Sequence, residues 1–574
     1  MDLKTIEFRK PVSILYIYLL ATFLGAIFFI PRMTEIGQYV TADEAKWLMR
    51  SGNFYYALAT RDFAQTYQRE HPGVTIMWAG TAAYLLEFPD YVRFGPGNFT
   101  RPQHLQTYLR EHQQEPLEIL VLARAIMILA CGTALLMMWF CMLPVVGWLP
   151  ATVGFLLAAF DPFYTGLSRL LHLDALSSTL MLLSLSAWIA YITQDQKSRY
   201  LLLSGVAAGL SWLTKSPAFF LIPLIGLLQL AVLWKYSRNI SPIGFKEIRQ
   251  AVLPVVIWTM IGAGVFVLLW PSMWTNPLGT IQQVFKQATG YVVEGHESTM
   301  YFMGKLYDHA IPVWYFYPVS ILWRTTPIIL IGLLLASIAP LFRDQFKYPK
   351  AWRNWMLISV IFAGLFVIFM SASAKKFDRY IVPAFLSLDI IAGFGWAILL
   401  RWLNRLFHSP SIKSRHKSVP ALVVGVAVVI WQAAGTFNSA PYYLTYYNPL
   451  LGGQARAPEA LTIGWGEGLD LAARYLNSQP AAYKLSVATW YGEGCFSYYF
   501  EGRMQEIDLD TQLSDLTKAD YVVLYIHQWQ RQLPNQELLD VFAKATPQYI
   551  VRIGDLEYAR VYNLHESPRL VNSN

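Results

Sequence analysis

Eleven long, almost uninterrupted apolar stretches dominate this chain, near 12–30, 118–140, 144–160, 174–193, 200–215, 217–235, 251–270, 325–343, 353–371, 380–402 and 419–437. A hydrocarbon layer ~30 Å thick takes roughly 20 helical residues to cross, and there the backbone must satisfy its own hydrogen bonds. The pattern predicts a polytopic α-helical membrane protein of about 11 transmembrane helices. The 574 residues are 55% hydrophobic and only 14% charged, which excludes an ordinary soluble domain. A net charge of +8 would suit nucleic acid, but the Lys and Arg residues sit in short loops between apolar runs, so no such partner is expected. Three cysteines make no disulfide framework and leave the redox compartment open.

Orientation follows from those loops. With "KTIEFRK" in the cytoplasm, "QDQKSR", "KYSRNISPIGFKEIR", "RDQFKYPKAWR" and "RWLNRLFHSPSIKSRHK" fall there too, all basic. The first run is long, lacks a small-residue cleavage site and continues into "FFIPRMTEIG", so it reads as a span rather than a signal peptide. Three long segments then face the other side: 31–117, 271–324 and 438–574. In the first, "FYYALATRDFAQTY" reads as an interfacial helix. The third changes character. "GLDLAARYLNSQ" and "NQELLDVFAKA" are amphipathic helix patterns, and "ADYVVLYIH" and "PQYIVRIG" are short strand patterns. The expected organisation is a transmembrane domain over 1–437 and a small soluble α/β domain over 438–574, outside the cytoplasm of a plasma (inner) membrane.

Ionisable residues beside spans are expensive, and here they gather at the outer ends. Arg124 lies about two turns inside the second span. Arg169, His172 and Asp174 occupy "SRLLHLDAL", Lys215 lies in "WLTKSPAF", and Lys375, Lys376, Asp378 and Arg379 fill "SAKKFDRY". Basic residues on that face run against the positive-inside preference, which points to a negative partner there. Snorkelling to headgroups is the bland alternative for Lys375, Lys376 and Arg379. Asp174 is equally a structural partner for Arg169 or Arg124, and Lys215 a helix-end charge. A buried Arg124 requires a carboxylate, carbonyl or phosphate.

The sharpest feature is "TADEAKWLMRSG", with Asp43 and Glu44 adjacent just after the first span. Thr41-x-x-Glu44 is a capping-box pattern, which gives Glu44 a structural task. Neighbouring helical residues point about 100° apart, so the two acids divide their roles, with Asp43 for chemistry and Glu44 to hold it in place.

This acidic pair, followed by "REHPGV", resembles the protein O-mannosyltransferase and aminoarabinose transferase superfamily, glycosyltransferase family 39, of GT-C fold. "SRLLHLDAL", "GLSWLTKSPA" and "KKFDRYIVP" are similar to its later motifs, and "YYLTYYNPLLGG" and "GWGEGLDLAARYLN" to prokaryotic members. The resemblance implies a membrane glycosyltransferase that moves a sugar, with inversion, from a polyprenyl-phosphate carrier to an acceptor hydroxyl on a protein, lipid or glycan. It implies Asp43 as general base, with Glu44 beside it. His71 of "REHPGV" joins Arg124, Arg169, Asp174, Lys215, Lys376 and Arg379 as expected substrate-binding residues, and His296 and Glu297 of "GHEST" would close over the sugar. No cluster has metal-ligand spacing, so no metal or other cofactor is expected as a requirement, and a divalent metal stays open. The rival reading is a lipid or solute transporter, which would place its ionisable residues at the bilayer midplane around broken helices.

Overall fold

Each of the eleven apolar runs contains a helix in the computed structural model, which describes residues 14–69, 72–239, 244–342, 344–407 and 419–565. Among the described residues eight helices are long and apolar enough to cross a membrane alone. The other three runs differ from the expected full spans for local reasons. The run near 144–160 is divided by Gly147, which ends the helix Pro116–Val146 and leaves Trp148–Ala159, too short at ~1.5 Å per residue to cross by itself. The run near 200–215 is the 17-residue helix Ser198–Thr214. The run near 325–343 belongs to a bent pair, Phe316–Arg324 and Pro327–Ile338, meeting at 114°. Pro327 has no N–H to continue the first piece and restrains Thr326 before it, and the Thr326 hydroxyl caps the second piece at Ile329 N.

Two spans form the centre. In the most apolar part of Leu173–Thr193 and of Asp378–Leu406, 94% of residues are buried, against 22% for Glu247–Leu269 and Val419–Asn438, which face outward. Small residues let the neighbours approach. A Cβ on Gly395 would fall 1.9 Å from the Gly332 carbonyl oxygen, and one on Gly393 would fall 2.5 Å from Gly154 Cα. Backbone therefore meets backbone where Pro327–Ile338 and Trp148–Ala159 cross the helix Val382–Leu406.

The segment after the first span folds as the helices Glu44–Ala59, Val74–Glu87 and Pro102–Glu111. The stretch expected as an interfacial helix is the second half of Glu44–Ala59 and a 3₁₀ turn, Phe63–Thr66. Its Phe54 and Ala57 are buried, because the helix Val74–Glu87 packs against it.

The tail is α/β, with a five-stranded sheet ordered Arg503–Glu506, Ser486–Thr489, Tyr521–Tyr525, Leu556–Asn563, Tyr549–Ile553. The first three strands run parallel and the remaining pairings are antiparallel. The two amphipathic patterns are the helices Leu469–Asn477 and Gln536–Ala543. The apolar core runs without a break from the spans into this tail, through Leu444, Ile463, Leu469 and Val561.

Gly395→Leu should lower stability by at least ~1–3 kcal/mol, since neither backbone can yield cheaply. Gly364→Ala, where a Cβ meets nothing within 4 Å, should change it by less than ~0.5 kcal/mol. Thermal melting of the detergent-extracted variants tests the pair.

Candidate active site

Thr41 to Glu44 make a turn whose closing bond is Glu44 N to the Thr41 carbonyl, 3.0 Å. The Glu44 carboxylate reaches back to accept from both the Thr41 N–H and its hydroxyl, at 3.0 Å each. It also receives Arg124 Nε at 2.7 Å, Arg124 Nη2 at 2.5 Å and the Leu171 N–H at 2.9 Å. Both side chains are fully buried. Burial opposes the charge on Glu44, but the Arg124 guanidinium outweighs it and holds the carboxyl below its ordinary range. The remaining donors of Arg124 go to the carbonyls of Ile36 and Tyr39. Arg124 thus has the carboxylate partner its burial required, and it does not line the cavity described below.

Asp43, one residue earlier, makes no side-chain cap bond although it occupies the N-cap of Glu44–Ala59. Its carboxylate is one-third exposed and stands 3.6 Å from both His172 Nε2 and Arg379 Nη2. The same two groups face Asp174, at 3.4 Å from His172 Nδ1 and 3.7 Å from Arg379 Nε. Asp174 in turn accepts Lys215 Nζ at 2.5 Å. Asp174 belongs to the first turn of its helix, where the macrodipole favours an acid, and Lys215 sits just past the end of Ser198–Thr214, where it favours a cation. Burial works against the charge on Asp43, yet the facing His172 imidazole and the Arg379 guanidinium hold its carboxyl well below the usual range. Burial likewise works against protonation of His172, and the flanking Asp174 and Asp43 outweigh it and raise the imidazole.

This chain of charges borders a cavity of about 850 Å³. Asp43, Lys215, His296, Glu297 and Arg379 line it, and Asp174 lies directly behind them. Lys375 lines it where Lys376 had been expected. Lys376 is instead buried, with Nζ donating to the Ile311 carbonyl at 2.8 Å and its backbone N–H to His296 Nε2 at 3.2 Å. Burial, with Lys375 and Arg531 nearby, pushes His296 down to about 3, so its ring is neutral. Arg169 also stays out of the cavity. It donates to the carbonyls of Thr34, Glu35 and Pro441 and ties the end of the first span to the start of the tail. His71 lies outside the described residues. Among the described residues no group of three or more His, Cys, Asp or Glu could hold a metal ion.

A family model described as dolichyl-phosphate-mannose-protein mannosyltransferase matches residues 119–264, a segment that includes His172, Asp174 and Lys215. The match covers 146 of the 574 residues, and over that segment the chain is similar to this family. No curated protein matches it. Similar solved structures include ArnT from Cupriavidus metallidurans bound to undecaprenyl phosphate, at 15% identity over 96% of this chain and 98% of that one, TM-score 0.45. The Saccharomyces cerevisiae protein O-mannosyltransferase Pmt1-Pmt2 complex bound to the sugar donor is another, at 11% identity over 76% and 91%, TM-score 0.49. A third is the Archaeoglobus fulgidus oligosaccharyltransferase tethered with an acceptor peptide, at 10% identity over 96% and 74%, TM-score 0.47.

Several lining residues were not singled out in the sequence. Arg324, at the break of the bent pair, is paired with Asp378 at 2.8 Å and bonded to the Leu444 carbonyl at 2.6 Å. A basic residue immediately before "TTP" was the available signal. The tail contributes Trp465, Glu467, Tyr491 and His527 to the cavity wall. Three positive-φ glycines, Gly464, Gly466 and Gly468, mark that strap as a tight turn, but nothing local to it says where the turn docks.

Glu44→Gln should cost ~3–5 kcal/mol, because it leaves Arg124 charged and buried without its counter-ion. Asp43→Asn should cost under ~1 kcal/mol, since its carboxylate makes no cap bond and the ion pairs lost are long and partly exposed. Thermal unfolding of the two variants side by side reads the difference, and equal losses would mean that the acids do not divide their roles.

Proposed function

We propose that this protein transfers a sugar, with inversion, from a polyprenyl-phosphate carrier to an acceptor hydroxyl at the extracytoplasmic face of the plasma (inner) membrane. The observation behind it is the ionised Asp43 carboxylate, not used for capping, which opens onto the cavity beside Lys215, Lys375 and Arg379. In the transfer the acceptor oxygen attacks the anomeric carbon while the bond from that carbon to the carrier phosphate breaks. The acceptor's proton passes to Asp43, and the phosphate leaves with the electron pair. A base within reach of the proton and cations placed where charge develops are the two requirements of such a displacement.

His172 and Arg379 bridge Asp43 and Asp174 at 3.4–3.7 Å, longer than ordinary charged hydrogen bonds. His172 Nδ1, Asp174 Oδ2 and Arg379 Nε are buried without a hydrogen-bond partner. Such slack suits a resting site that tightens around its substrate. Glu44 holds the turn bearing Asp43 and is a positioning residue. Helix polarity supports the orientation. Asp174 and Arg379 open the helices Leu173–Thr193 and Asp378–Leu406, and the basic "QDQKSR" segment and Arg401 and Arg405 lie at the opposite ends. On this reading the cavity and the tail face away from the cytoplasm, and the apolar spans beneath offer the carrier tail a lipid-side surface.

In proteoliposomes with a polyprenyl-phosphate sugar, Asp43→Asn should reduce turnover by ~10²–10⁴ while carrier binding stays within a few-fold of wild type. Full turnover in that variant would remove Asp43 from the chemistry. Lys215→Met should weaken binding of the unglycosylated polyprenyl phosphate by tenfold or more, the loss of one charged hydrogen bond of ~1.5–3 kcal/mol. Unchanged affinity would assign Lys215 to structure alone. A reporter active only in the cytoplasm, fused after Asn574, should be silent.

A further inference from the structure

The strap Gly464–Gly468 brings one ring of the tail into the charge chain. Trp465 lies with its indole 4.1 Å from the Arg379 guanidinium carbon, in cation–π contact. The same ring meets His172 edge-on, centroids 4.9 Å apart at 89°. These are the two groups that face Asp43 and Asp174. The Trp465 carbonyl also accepts the Ala42 N–H at 3.1 Å, one residue before Asp43.

The backbone that carries the ring is held from behind. The Glu467 carboxylate accepts the Trp465 backbone N–H at 2.6 Å and the Tyr525 hydroxyl at 3.2 Å, and that hydroxyl accepts the Gly466 N–H at 3.0 Å. Tyr525 ends the middle strand of the sheet and is fully buried. A Cβ on Gly466 would fall 2.4 Å from the Val40 carbonyl oxygen, so the strap lies directly on the chain leading to Asp43. Sheet, strap and indole thus form one connected support.

We infer that Trp465 is a positioning residue for the transfer reaction, fixing Arg379 and His172 against Asp43 from the extracytoplasmic domain. The inference rests on the role proposed for Asp43. Without the ring, Arg379 and His172 regain side-chain freedom, and the gaps to Asp43 are already longer than hydrogen bonds. A misplacement of about 1 Å at a reacting group can cost ~10²-fold in rate.

A double-mutant cycle in proteoliposomes tests this, using a polyprenyl-phosphate sugar and an excess of acceptor. Trp465→Leu should lower kcat by about 10–100-fold, with the KM for the carrier-linked sugar within about threefold of wild type. Trp465→Phe, which keeps an aromatic face, should recover most of that loss. In the Asp43→Asn background Trp465→Leu should cost almost nothing further, because the carboxylate against which the indole holds Arg379 and His172 has gone. A full additional loss there, or equal losses in Leu and Phe, would overturn the inference. If Trp465→Leu does not fold, Tyr525→Phe, which removes the hydroxyl under the strap, replaces it in the same cycle with the same criteria. Absence of transfer by the wild-type protein would instead count against the proposed function, so the two failures are distinct.

Discussion

Glu44 and Arg124 are both charged and both shut away from water, an arrangement whose desolvation costs several kcal/mol per ion unless every lone pair and donor is matched. Here they are matched. Glu44 receives two bonds from Arg124, two from Thr41 and one from Leu171, and Arg124 adds the carbonyls of Ile36 and Tyr39. The pair therefore joins four pieces of chain: the end of the first span, the turn bearing Asp43, the second span and the turn before Leu173. Removing either partner would leave the other stranded, so these pieces are fixed relative to one another. Asp43 faces the cavity because its neighbour does not.

Around Asp43 a second rule operates. His172, Asp174, Lys215 and Arg379 neutralise one another without saturating their hydrogen bonds, whereas around Glu44 the geometry is short and complete. The two neighbouring acids thus differ in how fully each is satisfied. Arg169 and Arg324 belong to the satisfied group, since each is bonded to backbone carbonyls of the segment 441–446. They fasten the tail to the membrane helices.

Much of this was legible in the sequence because it depends on local rules. The apolar runs, the return of Glu44 to the Thr41 N–H and the amphipathic helices of the tail all follow from spacing, although the N-cap falls at Asp43 rather than at Thr41. The need of Arg124 for a partner was also legible, but its identity was not, as Glu44 lies 80 positions away. The sequence offers Asp174 as a mate for Arg169 or Arg124, and in the fold it holds Lys215 instead, a choice made by how the helices Leu173–Thr193 and Ser198–Thr214 pack. Lys375 and Lys376 are adjacent and equally basic, so only the path of the turn decides which one faces the cavity. The place of Trp465 is hidden in the sequence for a related reason. It lies in a segment whose periodicity describes a separate soluble fold, and periodicity carries no information about docking.

The strap has a consequence for biosynthesis. Asp43 leaves the ribosome early and Trp465 late, separated by most of the chain. At roughly 5–20 residues per second the nascent protein spends tens of seconds with its spans inserting and the turn bearing Asp43 already made. During that interval the wall that Trp465, Glu467, Tyr491 and His527 contribute does not yet exist. A half-synthesised chain would thus be a membrane protein with a charged opening and no closed chamber. Its competence would arrive as a late event, when the last strands, Tyr549–Ile553 and Leu556–Asn563, complete the sheet that carries Tyr525 and the strap.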